Sequence, residues 1–131
     1  MLGLDTNVLI RYLVRDDETQ FEKARKFIRR ETAARRPVFI GQLVLLETEW
    51  VLRSRYGLTK PEILGVFSSL LDTDDLCFEN EAAVEEALYL WKDNTADFAD
   101  CLIGAQNRRL GCTATVTFDA KAAKLPVFVT A

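Results

Sequence analysis

Five short apolar runs punctuate this chain: Leu2–Leu4, Val38–Ile40, Leu76–Phe78, Thr113–Phe118 and Val127–Val129. Helix-length segments separate most of them. Short, continuously apolar strands alternating with helices belong to a parallel sheet covered on both faces. The first helix is expected from about Asn7 to Val14. The second runs from Glu18 to Thr32, with Phe21, Ala24, Phe27 and Ile28 as its apolar stripe. A third spans about Leu43 to Tyr56 and stops at Gly57. Thr59 caps a fourth, with Pro61 in its first turn, reaching about Leu71. Asn80 caps a fifth, ending near Lys92. Thr95 or Asp97 caps the last, which runs to Leu110 and stops at Gly111. The expected fold is α/β: a three-layer α/β/α sandwich around a central, mostly parallel five-stranded sheet. At 131 residues, 49% of them hydrophobic, the chain can build one core, and it has no internal repeat or linker. A single domain over residues 1–131 is therefore expected.

The chain has no histidine. That excludes Ser-His-Asp and Cys-His catalysis, histidine acid–base hydrolysis and any zinc site that needs imidazole. The three cysteines, Cys77, Cys101 and Cys112, form no C-x-x-C pair and read as reduced, buried thiols of a cytoplasmic protein. No apolar run approaches the roughly 18 residues that span a membrane, and the N-terminus lacks the basic region and cleavage site of a signal peptide. Carboxylates are then the main chemical resource.

Their placement is specific. In "LGLDTNVLIRYL" an apolar run breaks at Asp5-Thr6-Asn7 and resumes at Val8. Asp5 follows the first strand and Asp119 the fourth, and parallel α/β sheets place ligands outside the carboxyl ends of strands. The plainer reading makes each a cap of the turn that follows. On "LVLLETEWVLRSRY", Val44, Glu47 and Val51 fall at i, i+3 and i+7, so Glu47 is expected on an inward apolar stripe. Glu49 has Arg53 at i+4 and reads as an exposed ion pair, which makes Glu49→Gln a near-neutral control. Asp97 and Asp100, in "TADFADCLIGA", share one side of a helix start. The plainer reading there is that they complement the helix dipole. Gly104, one turn on, leaves room for a close approach. If Asp5, Glu47, Asp100 and Asp119 converge, their mutual repulsion calls for a cation. Oxygen-only ligands select a hard ion, Mg²⁺ or Mn²⁺, of the kind that serves in-line displacement at phosphorus.

Four blocks in order, "LDTNVLIRYL", "VLLETEWVL", "ADFADCLIGA" and "TVTFDAKAAKLP", resemble the PIN-domain ribonucleases over essentially the whole chain. The nearest resemblance is to VapC-like toxins of type II toxin–antitoxin systems. The resemblance implies a Mg²⁺- or Mn²⁺-dependent endoribonuclease that cleaves RNA, frequently tRNA or rRNA loops, and so arrests translation. It implies Asp5, Glu47 and Asp100 as core metal-site acids, Asp119 as a more variable fourth and Asp97 as an accessory acid. Thr6 and Asn7 would orient the site by hydrogen bonds, and Thr117 matches the polar residue before the fourth acid. A homodimer, neutralised by a cognate VapB-like antitoxin whose C-terminal segment covers the acidic groove, is also implied. The continuation "AKAAKLP" after Asp119 departs from the aspartate-plus-aromatic pattern found elsewhere in the superfamily.

The net charge is −3, yet seven Lys/Arg and a single acid, Glu31, lie between Lys23 and Arg36. This run either contacts an RNA backbone or forms a solvated helix face. Arg35 and Arg36, near the second strand, are the candidate RNA contacts. Trp50, Phe67, Tyr89 and Trp91 read as core or dimer interface. A haloacid-dehalogenase-type phosphatase needs an acid where Asn7 stands, and a receiver domain needs an acidic pair at Asp5. The remaining alternative is a non-catalytic RNA- or partner-binding module of the same fold, against which the complete acid set argues.

Overall fold

The computed structural model describes residues 1–131, which form two compact units, Met1–Glu79 and Asn80–Ala131. The first unit runs β1 (Leu2–Gly3), α1 (Thr6–Leu13), α2 (Glu18–Ala33), β2 (Val38–Ile40), α3 (Gln42–Ser54), α4 (Lys60–Leu71) and β3 (Leu76–Phe78). The second runs α5 (Glu81–Lys92), α6 (Phe98–Arg109), β4 (Thr115–Thr117), a 3₁₀ turn (Ala122–Lys124) and β5 (Phe128–Thr130). The fold class is α/β, and every strand pair is parallel. No helix is long and apolar enough to cross a membrane.

Most element ends follow local chemistry. Thr59 and Glu62 form a reciprocal capping box at α4, each accepting a backbone N–H of the other. The Asn80 side chain accepts from Ala83 N and starts α5. Helix α2 ends in a Schellman motif: Arg36 N–H donates to Glu31 O and Arg35 N–H to Thr32 O, both at 2.9 Å. That places Arg35 at φ 56°, the left-handed conformation a glycine would adopt without strain. Gly57 and Gly111 take positive φ just beyond α3 and α6.

The expected single sheet of five strands is not what forms. Strands pair as β1-β2-β3, with Leu2 opposite Val38 and Val38 opposite Leu76, and separately as β4-β5, with Thr115 opposite Phe128. Each strand is two or three residues long, so few ladder hydrogen bonds are available to extend either set. In the first unit the core holds Leu9, Ile10, Val38, Ile40, Leu45, Leu52, Ile63 and Phe67. In the second it holds Val84, Leu88, Trp91, Phe98, Cys101, Leu102 and Leu125. Trp91 meets Phe98 edge-to-face at 5.3 Å, joining α5 to α6. Phe67 and Trp91 are thus core, whereas Trp50 and Tyr89 are exposed.

Two local expectations are overturned and one gains its partner. The inward face of α3 carries Gln42, Leu45, Thr48, Glu49 and Leu52, so Glu49 is buried at 4% exposure and Glu47 is exposed. The i, i+4 pairing with Arg53 does form, at 2.9 Å, but around a buried acid. The cause is that α3 is apolar around most of its circumference. Leu43 and Trp50 face solvent, so periodicity could not choose between the Val44–Val51 stripe and the Leu45–Leu52 stripe. Second, the close approach expected at Gly104 occurs, and the protein's own side chains make it. A Cβ there would stand 2.6 Å from Phe128 Cε2 and from Val127 Cγ2, so glycine admits the side chains entering β5. Third, only Cys101 of the three free cysteines is buried; Cys77 is half-buried and Cys112 exposed.

Candidate active site

In the first unit, Asp5 follows β1 and is the N-cap of α1. Its Oδ1 accepts the Thr6 N–H at 2.8 Å, and the other oxygen makes no hydrogen bond within the protein. The capping explanation is therefore real and yet incomplete: one oxygen fixes the carboxylate, and the second is left free. Thr6 is buried and acts on Asp5 through its backbone, while the Asn7 amide is exposed without a protein partner. Glu47 is exposed on α3, so burial gives no reason to set it apart. Its claim to a site rests on the motif that contains it.

In the second unit two acids act on a third. Asp97 occupies the N-cap position of α6 but its side chain makes no capping hydrogen bond, and it is exposed. Asp100 lies in the first turn, half-buried. Burial pushes the Asp100 carboxyl above the ordinary aspartate range, and the negative charges of Asp119 and Asp97 push it further. No basic group offsets them. Asp119 follows β4 and caps the 3₁₀ turn, its Oδ1 accepting Lys121 N at 2.8 Å and Ala122 N at 2.9 Å. The Thr117 hydroxyl accepts the Asp119 N–H at 2.9 Å, bracing that turn from the strand side.

Outside these acids the basic segment sorts into paired and unpaired cations. Arg36 holds the buried Glu31 carboxylate at 2.7 Å, and Arg25 pairs with Glu22 at 2.7 Å. Arg35 is exposed at its left-handed turn, and Lys23 and Arg29 form no ion pair. The buried Glu31 escaped the sequence reading, although an acid three residues beyond Ile28 on the inward side of α2 was the available signal.

Residues 3–127 match the family model described as PIN domain. The chain belongs to the PIN domain family. PIN domains are typically nucleases and generally depend on divalent metal ions, and the match spans nearly the whole chain. No curated protein matches it. The donor chemistry of this PIN domain, carboxylate oxygen without imidazole and with crowding around Asp100 unrelieved by a cation, fits a hard divalent ion. Its side chains do not stand pre-assembled about one: no group of three or more Cys, Asp or Glu is arranged to hold a metal.

Proposed function

We propose that this PIN domain is a Mg²⁺- or Mn²⁺-dependent endoribonuclease whose acids Asp5, Glu47, Asp100 and Asp119 hold the ion, with residues 1–131 working as one domain. The observation that carries the proposal is the PIN-domain match over residues 3–127, within which Asp5 and Asp119 each follow a strand and Asp100 lies in the first turn of α6. When bound, the ion lowers the pKa of a water and neutralises charge on the phosphate. The chain's own groups prepare for that. The Thr6 N–H holds one oxygen of Asp5 and leaves the other to bind. The Lys121 and Ala122 N–H groups hold one oxygen of Asp119 in the same way, and the Thr117 hydroxyl accepts the Asp119 backbone N–H. Asp97 adds negative potential beside Asp100.

The finer reading follows the VapC-like blocks. It makes this a cytoplasmic, homodimeric toxin that cleaves tRNA or rRNA to inhibit translation, held inactive by a VapB-like antitoxin. Arg35 and Arg36 are its RNA contacts outside the acids. Mapping RNA ends after induced expression tests the target, and a small reading frame directly upstream whose product suppresses toxicity tests the antitoxin. For the chemistry, RNA cleavage should require Mg²⁺ or Mn²⁺ and vanish in EDTA. Because the loss of groups that merely orient metal ligands costs about 10–100-fold, Asp5→Asn and Asp100→Asn should each lose at least about 100-fold. Wild-type cleavage rates in either variant would remove the assignment. A non-catalytic RNA- or partner-binding module is the second reading, favoured by the lack of a pre-assembled ligand group. Metal-dependent cleavage separates the two.

A further inference from the structure

A cavity of about 430 Å³ opens between α1 and α2 in the first unit, within the size range of small-ligand sites. Gly3, Leu4, Val8, Ala24 and Phe27 form its apolar wall. Asn7, Arg11, Gln20 and Lys23 supply the polar groups. No acid lines it, although the protein as a whole is acidic. Arg11 is held in place, its Nε donating to Gln20 Oε1 at 2.6 Å and its Nη1 reaching Asp16 and the Tyr56 hydroxyl. That bond leaves the Gln20 amide N–H groups available. The Asn7 amide and the Lys23 ammonium have no partner within the protein. Arg30, whose guanidinium stands 5.7 Å from the Phe27 ring centroid, adds a second exposed cation beside the wall.

We infer that this cavity binds one nucleotide of a single-stranded RNA segment, with the base against Phe27 and Val8 and the adjoining phosphates at Lys23 and Arg30. The inference rests on the proposed nuclease reading and gives it a subsite. Three features select a nucleotide. An aromatic ring in an apolar wall offers a stacking face for an unpaired base. The Asn7 amide presents a donor and an acceptor and Gln20 adds its N–H donors, as base edges require. Lys23, which has no acid against it, and the exposed guanidinium of Arg30, 3.9 Å from Glu31, suit a polyanion. Gly3, Leu4 and Asn7 of the lining flank Asp5, a proposed metal-site acid, in the chain.

The test is fluorescence anisotropy with a labelled mixed-sequence 12-nucleotide single-stranded RNA, in EDTA so that nothing is cleaved. Phe27→Leu keeps the apolar bulk and removes the ring; it should weaken binding about tenfold, and Phe27→Trp should restore it. Lys23→Gln should lower the salt slope of log affinity by about 0.7. Far-UV circular dichroism confirms that each variant is folded. Wild-type affinity in Phe27→Leu with an unchanged salt slope in Lys23→Gln overturns the subsite, as does the absence of saturable RNA binding by the wild-type protein. Binding of an acidic peptide that Phe27→Leu weakens, with RNA binding unaffected, identifies a protein-docking groove and equally overturns it. If the RNA results hold but Mn²⁺ produces no cleavage, the catalytic reading fails and the subsite stands. If Mn²⁺ produces cleavage and RNA binding ignores both positions, the subsite alone fails.

Discussion

Glu31 and Glu49 lie in the interior of the first unit at 2% and 4% exposure, and each has an arginine within hydrogen-bonding distance. Asp97, Asp100 and Asp119 in the second unit are less buried, and no arginine or lysine side chain pairs with them. The hydrogen bond from Arg36 holds the Glu31 carboxyl below the ordinary glutamate range. Burial and the neighbouring acids hold Asp100 above the ordinary aspartate range. Deeper burial therefore goes with the lower value, because the source of positive charge decides the sign. In one unit the chain supplies its own counter-charge. In the other it supplies none.

The largest effect on stability should come from removing the internal counter-charge. Arg53→Met strands the buried Glu49 carboxylate and should cost about 1–3 kcal/mol in urea unfolding at pH 7. A cost near zero would mean that Glu49 is solvated after all. Supplying the external charge should act oppositely. Mn²⁺ at tenfold its dissociation constant should stabilise the wild type by about 1.4 kcal/mol and leave Asp100→Asn nearly unmoved. Equal shifts in both would place the ion elsewhere.

Acid titration sharpens the contrast, because the two carboxyls have opposite signs. Asp100 has its folded value raised, so its ionised form destabilises the metal-free protein above that value, and the penalty disappears below the ordinary aspartate range. In EDTA, Asp100→Asn should be more stable than wild type at pH 7 by a few tenths of a kcal/mol, solvent screening most of the repulsion. The difference should close as the pH falls. Glu31 has its folded value lowered, so its contribution is present above the ordinary glutamate range and fades as pH drops through the lowered value. The gap between wild type and Glu31→Gln should therefore also narrow in acid, but with wild type the more stable partner at pH 7. If Asp100→Asn is the less stable form at neutral pH without metal, the acids are compensated by something within the protein.

The smallest stability effect belongs to Glu47. As an exposed side chain, it should tolerate Glu47→Gln within about 0.5 kcal/mol while RNA cleavage falls. Glu49→Gln, which the sequence presents as the neutral control, is unsuited to that use. It removes the charge of a buried, arginine-paired group, and an exposed acid such as Glu81 serves better.

Features written in a few adjacent residues were settled by local chemistry. The capping box of Thr59 and Glu62, the Asn80 cap, and the strands Val38–Ile40 and Leu76–Phe78 each depend on hydrogen bonds or burial within a short window, and they appear where local chemistry puts them. The two strand-end acids, Asp5 and Asp119, were legible in the same way, as was the crowding of Asp97 with Asp100. Tertiary structure decided the rest. Which stripe of α3 turns inward depended on neighbours that the helix's own apolar circumference does not specify, and this exchanged the environments of Glu47 and Glu49. The fit of Phe128 and Val127 against Gly104, and the pairing of strands as three and two, likewise required partners distant in the chain. Periodicity reports how many faces of a helix can be buried; only packing selects the one that is.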